Sequence, residues 1–161
     1  MHRRFFLVSM LGVLAVSPAL SKGPGDNNQA ALGFIERNRI GENLSNLARQ
    51  FGMSTKTFQI IERAVGPQRA RQMFQEHLSK EAPKFQGQWN KTLANVYANH
   101  FSAAELRSLG KERDKSPYYA KLQSQSPAIS AEMKSAGTPI LTELLKAILV
   151  PMFKDVAPGG R

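Results

Sequence analysis

Residues 89–113 read WNKTLANVYANHFSAAELRSLGKER, and this stretch decides the fold class. Trp89, Leu93, Val96 and Tyr97 recur at helical spacing, so they line one face of a helix. Ser102-Ala103-Ala104-Glu105 is a capping box. The Ser102 hydroxyl is placed to accept the Glu105 N–H, and the Glu105 carboxylate to reach back to the Ser102 N–H. Phe101 and Leu106 occupy the two hydrophobic-staple positions around it. One helix therefore ends near residue 99 and another starts at 103, with Leu106 and Leu109 turned inward.

The same punctuation runs outward in both directions. Ser54, with Met53 and Phe58, offers a second cap and staple. Gly66-Pro67, Ser116-Pro117, Ser126-Pro127 and Thr138-Pro139 each place a capping residue before proline at a first helical position. No alternating strand pattern of useful length occurs. These marks predict an all-α fold: a single compact domain of about seven to nine short helices, over 29–38, 42–51, 55–65, 67–81, 84–99, 103–113, 117–124, 127–136 and 139–153. The expected inward residues are Leu32 and Ile35; Leu44, Leu47 and Phe51; Phe58, Ile61 and Val65; Met73 and Leu78; Ile140, Leu144, Ile148 and Phe153.

The N-terminus carries an export signal pattern. His2, Arg3 and Arg4 precede an apolar run, Phe5–Val16, too short to span a bilayer comfortably. Ser17-Pro18 breaks it, and Ala19 and Ser21 supply the small residues a signal peptidase reads. Cleavage is expected after Ser21. Arg3-Arg4-Phe5-Phe6-Leu7 also has the twin-arginine form, although the general secretion route fits the short positive region better. The chain is thus expected in the periplasm or secreted. Residues 22–28 read as a flexible leader, 29–154 as the helical domain and 155–161 as a disordered tail. The best later membrane candidate, Ile140–Phe153, has a core-helix length and includes Glu143, Lys146 and Pro151, so no integral membrane segment is expected after cleavage.

Composition narrows the chemistry. The 161 residues hold 22 Lys+Arg against 12 Asp+Glu, a net charge of +10, and no cysteine. Disulfides, thiol catalysis and cysteine-ligated zinc are excluded. Loss of Arg3 and Arg4 on cleavage removes two charges and leaves the chain strongly basic. A balance of this sign favours anionic neighbours: lipid headgroups, envelope polymers or acidic proteins. Arg107, Lys111, Arg113, Lys115 and Lys121 cluster at one helix junction and form a candidate basic binding surface. Arg63, Arg69, Arg71, Lys80, Lys84 and Lys91 form a second basic region.

Residues 93–137 resemble the domain of unknown function 2059 family of small exported bacterial proteins. Leu93–Leu106 (LANVYANHFSAAEL) is similar to that family's "LAPIYAKHFSEAEL" segment. Ser116–Leu122 (SPYYAKL) is similar to its "SPTGQKL" segment, and Pro127, Ile129, Glu132, Met133, Ala136 and Gly137 follow in order. Tyr119 stands where the family commonly has glycine, and Gly137-Thr138-Pro139 falls in what is often a longer last helix. The resemblance implies export and an all-α fold. It implies no activity, substrate or catalytic residue. Phe101, Ser102, Glu105, Leu106, Ser116 and Pro117 are accordingly read as a structural motif of helix starts.

Two other functions have residues to argue from. A glycan hydrolase needs two carboxylates about 5–9.5 Å apart, one with a raised pKa. Glu105, with Glu112 seven residues on, is the best pair, but Glu105 has a capping role and Glu112 sits among Lys111, Arg113 and Lys115. His77 and His100 lie outside any triad or metal-ligand spacing, and no cofactor is expected. Residues 46–61, NLARQFGMSTKTFQII, have the Ala48–Gly52 spacing of a DNA-binding helix-turn-helix. The second helix holds only Lys56 and Arg63 as cations and carries Glu62, and an exported chain does not meet the chromosome, so no nucleic acid is expected. The sequence reading is a non-enzymatic binding module for an envelope partner.

Overall fold

A computed structural model describes residues 24–157. The expected signal peptide, 1–21, residues 22 and 23, and residues 158–161 lie outside the described residues. Six α-helices form the described chain: α1 Pro24–Arg37, α2 Leu44–Met53, α3 Lys56–Val65, α4 Pro67–His100, α5 Ala103–Glu112 and α6 Tyr119–Val156. Short 3-10 segments, Ile40–Asn43 and Arg113–Lys115, precede α2 and follow α5. Among the described residues there is no strand.

The all-α class holds, but the helices are fewer and two are much longer than the sequence predicts. The expected helices 67–81 and 84–99 are one 34-residue helix with Pro83 inside it. Those at 117–124, 127–136 and 139–153 are one 38-residue helix containing Pro127, Pro139 and Pro151. A proline removes the hydrogen bond to the carbonyl four residues back. For Pro83, Pro127 and Pro139 that carbonyl belongs to Ser79, Gln123 and Ser135, all exposed residues, so the lost bond falls on the solvent side of the helix. Ser126 and Thr138 do not cap. Their hydroxyls donate one turn back inside α6, to the carbonyls of Leu122 and Lys134. The Gly137-Thr138-Pro139 sequence likewise leaves the helix uninterrupted.

Other boundaries move for local reasons. The cap of α3 is Thr55, one residue after the predicted Ser54; its Oγ1 accepts the Phe58 N–H at 3.1 Å. The expected flexible leader is instead helical from Pro24. Asn27 Nδ2 donates to the Ala98 and Phe101 carbonyls, at 2.7 and 3.0 Å, and so ties the start of α1 to the end of α4. Residues 155 and 156 of the expected tail continue α6.

α4 and α6 run antiparallel as the spine. His100 meets Gln125 and Glu132, Trp89 lies against Gly137, and Phe74 and Leu145 both border Gly52. α1 packs on α4 and α5, while α2 and α3 each pack on both long helices. The core includes Ile35, Leu44, Ile61, Phe74, Leu106 and Leu144, each essentially inaccessible to water. Two expected core residues are not in it: Phe51 is 48% and Phe153 40% exposed. α2 buries Leu44, Ala48 and Gly52 instead, and α6 continues its 140–144–148 stripe to Met152.

α6 also alters the membrane argument. Because the helix is continuous, the 14-residue length of Ile140–Phe153 no longer bounds it. One 18-residue window of α6 has a mean hydropathy of 1.4, with 33% of it buried in the fold. By length and composition that is enough to cross a membrane, and a soluble core helix meets the same criterion.

Candidate functional site

At Ser102–Glu105 both hydrogen bonds of a capping box form. Ser102 N–H donates to Glu105 Oε2 at 2.7 Å, Glu105 N–H to Ser102 Oγ at 3.3 Å, and Phe101 and Leu106 are buried. Ser116 is the one buried polar residue among the described residues. Its Oγ lies 2.8 Å from Ser108 Oγ and accepts the Tyr118 N–H, which fixes the α5–α6 corner while Pro117 stays exposed. α6 itself begins at Tyr119, two residues beyond the predicted Pro117 start.

The five candidate basic residues divide. Lys121 Nζ contacts both Glu105 oxygens, at 2.8 and 2.9 Å, and sits 4.9 Å from the Phe101 ring centre. Arg107 pairs with Asp26 across the α1–α5 contact. Lys111, Arg113 and Lys115 are exposed. Of these, Arg113 enters a pocket that also holds Arg37 and Arg39.

That pocket is assembled by two chain reversals. α1 ends at Arg37, and the chain turns through Arg39 in the left-handed region, φ 56°. α5 ends at Glu112, and Arg113 adopts φ 55°. Each such residue costs about 1–3 kcal/mol when it is not glycine. Both strained arginines line the same cavity of about 490 Å³, with Arg37 and Asp114, over walls of Phe34, Leu109, Tyr119 and Leu122. Arg39 Nε donates to Glu42 Oε1 at 2.6 Å. Among the described residues neither Arg37 nor Arg113 forms an ion pair. Guanidinium groups present planar donor forks that match phosphate and carboxylate oxygens.

Beside it runs an apolar trough of about 630 Å³ between α2 and α6. Trp89, Leu93 and Tyr97 of α4 form its floor, Leu47 and Phe51 one wall, and Ile129, Met133, Leu141 and Leu145 the other. Trp89 Nε1 donates to Asn43 Oδ1 at 2.9 Å, which fixes the indole. Gly137 lets the helices close over it: a Cβ there would stand 2.7 Å from Trp89 Cζ3. Burial pushes the Tyr97 phenol up in pKa, so it stays neutral. Lys134 is the one charged residue of the lining.

The sequence reading missed Arg37, Arg39 and the trough. Glu36-Arg37-Asn38-Arg39 reads as ordinary basic residues at a helix C-terminus, where the dipole favours cations. The trough did leave a signal. α6 carries a second apolar stripe, Met133, Leu141 and Leu145, beside the buried Ile140–Leu144–Ile148 stripe, which is wider than one core contact needs.

At Gly52 a Cβ would lie 2.5 Å from Phe74 Cζ and 2.9 Å from Leu145 Cδ2, so the Ala48–Gly52 face meets the spine at close range. Thr55 is half-buried, and Lys56 and Gln59 are exposed beside Ile60. For Glu105, burial alone raises the carboxyl, but the Lys121 ammonium and the Ser102 N–H outweigh it and hold the group below the usual carboxylate range. Hydrogen bonds from His100 and Asn99 likewise lower Glu132. Among the described residues no three His, Asp or Glu side chains gather for a metal.

Comparison with protein-family models, with curated proteins and with solved structures finds no match to this chain.

Proposed function

We propose that the chain is an exported, non-enzymatic binding module of the bacterial envelope that captures anionic material at the Arg37–Arg39–Arg113 pocket. The observation that carries this reading is the convergence of three arginines from two distant segments, two of them in strained backbone, over an apolar-walled cavity. Strain of this kind persists where surrounding structure enforces it, and it gathers at binding sites. The signal pattern read in residues 1–21 supports the envelope location. The partner is an anionic lipid surface, an anionic polymer or the acidic face of an envelope protein.

Cosedimentation of the full chain with anionic and neutral vesicles tests the reading. Binding should be confined to the anionic vesicles and weaken as salt rises, because exposed charges are screened beyond about 8 Å at physiological ionic strength. Equal binding to both vesicle types, or none at low salt, contradicts it.

A second reading has one observation in its favour. The apolar window of α6 is long enough for a membrane anchor. Release of the protein from cell membranes by high salt supports the binding module; retention until detergent is added supports the anchor.

A further inference from the structure

Building on the anion-binding reading of the arginine pocket, we propose that pocket and trough form one site for a single-chain anionic amphiphile. The alkyl chain lies along the trough, and a phosphate or carboxylate head sits among Arg37, Arg39 and Arg113.

The pocket and the trough are neighbours. Ile40 lines both, and Phe34 in the pocket wall packs on Tyr97 in the trough floor, with ring centres 5.3 Å apart, so the two share a wall. On α6, Leu122 lines the pocket and Ile129, Met133, Gly137, Leu141 and Leu145 line the trough, a row that winds around the helix. The pocket sets Arg37 and Arg113, which form no ion pair among the described residues, and Arg39, already paired with Glu42, against Asp114, and the trough lining has Lys134 and no acid. An anionic head is matched at one end, and nothing along the trough repels it.

Size selects a small molecule as the occupant. The trough's volume of about 630 Å³, its mostly apolar lining and its few polar groups match those of small-molecule sites.

Trp89, the single tryptophan, lies in the trough floor and supplies the readout. The full chain is titrated, below micelle-forming concentrations, with dodecyl phosphate, dodecanoate, dodecylphosphocholine and inorganic phosphate. Dodecyl phosphate or dodecanoate should saturate the Trp89 emission change at least tenfold more tightly than dodecylphosphocholine. The tighter of the two anions names the head-group source. Decyl-to-dodecyl extension should tighten binding roughly three- to fourfold per methylene. Arg37→Gln/Arg113→Gln should bring dodecyl phosphate down to the zwitterion's affinity, and Leu141→Gln should weaken every alkyl ligand, with unchanged melting curves checking the fold.

Equal affinity for dodecyl phosphate and dodecylphosphocholine overturns the head-group assignment. Inorganic phosphate binding as tightly as dodecyl phosphate overturns the amphiphile while leaving the anion pocket standing. No binding by any probe, together with no binding to anionic vesicles, overturns both.

Discussion

Lys121 Nζ bridges the two carboxylate oxygens of Glu105, at 2.8 and 2.9 Å, and so fastens the first turn of α5 to the first turn of α6. The same carboxylate holds the Ser102 N–H, so one side chain caps a helix and joins two.

Ser102→Ala should lower stability by about 1 kcal/mol, the usual value of an N-cap hydroxyl, without loss of anion binding. Chemical denaturation and vesicle binding measure the two effects separately. Acid should act through Glu105 and Glu132, whose folded carboxyls titrate below their ordinary values. A lowered folded pKa stabilises fully above the unfolded value, about 4.3, and the benefit is lost as pH falls through the folded one. The melting temperature should therefore drop more steeply below about pH 4.3 in the native chain than in Glu105→Gln. Parallel curves would remove Glu105 from the acid response.

Gly137→Ala should destabilise the chain by about 1–3 kcal/mol, the range for overpacking a buried contact. Its Cβ would meet the Trp89 ring at 2.7 Å and Met133 Cε at 2.9 Å, and Trp89 is held by Asn43. The Trp89 emission should shift with the ring. A melting curve and emission spectrum identical to the native chain's would mean the α4–α6 contact is looser than described.

The α class and the starts of α4 and α5 were legible because capping is local chemistry. Ser102, Glu105 and Gly66-Pro67 need only their neighbours in sequence to act. The proline positions misled for the complementary reason. Pro83, Pro127 and Pro139 break a helix standing alone, yet here each sits on an exposed face while the opposite face of the same helix stays packed. Phe51 and Ala48 both lie at helical spacing from Leu44, and only the close approach at Gly52 selects the smaller residue for the interior. The arginine pocket was illegible because its parts are separated by some 75 residues of sequence and joined by two strained turns that no residue type announces.

Export should remove the first 21 residues. Intact-mass measurement of the protein recovered from the periplasm or medium should give a chain beginning at Lys22. A cytoplasmic chain that retains Met1–Ser21 would contradict the envelope reading and reopen the helix-turn-helix reading of residues 46–61.

The central claim is that anions are captured at one pocket and not by diffuse charge. Two double variants remove equal charge from different places, all four residues being exposed: Arg37→Gln/Arg113→Gln at the pocket, and Lys56→Gln/Lys91→Gln away from it. Their binding to anionic vesicles is compared at about 0.15 M salt, where charges beyond roughly 8 Å are screened. The account predicts at least a tenfold loss for the arginine pair and less than a twofold change for the lysine pair. Equal losses from the two variants would contradict it.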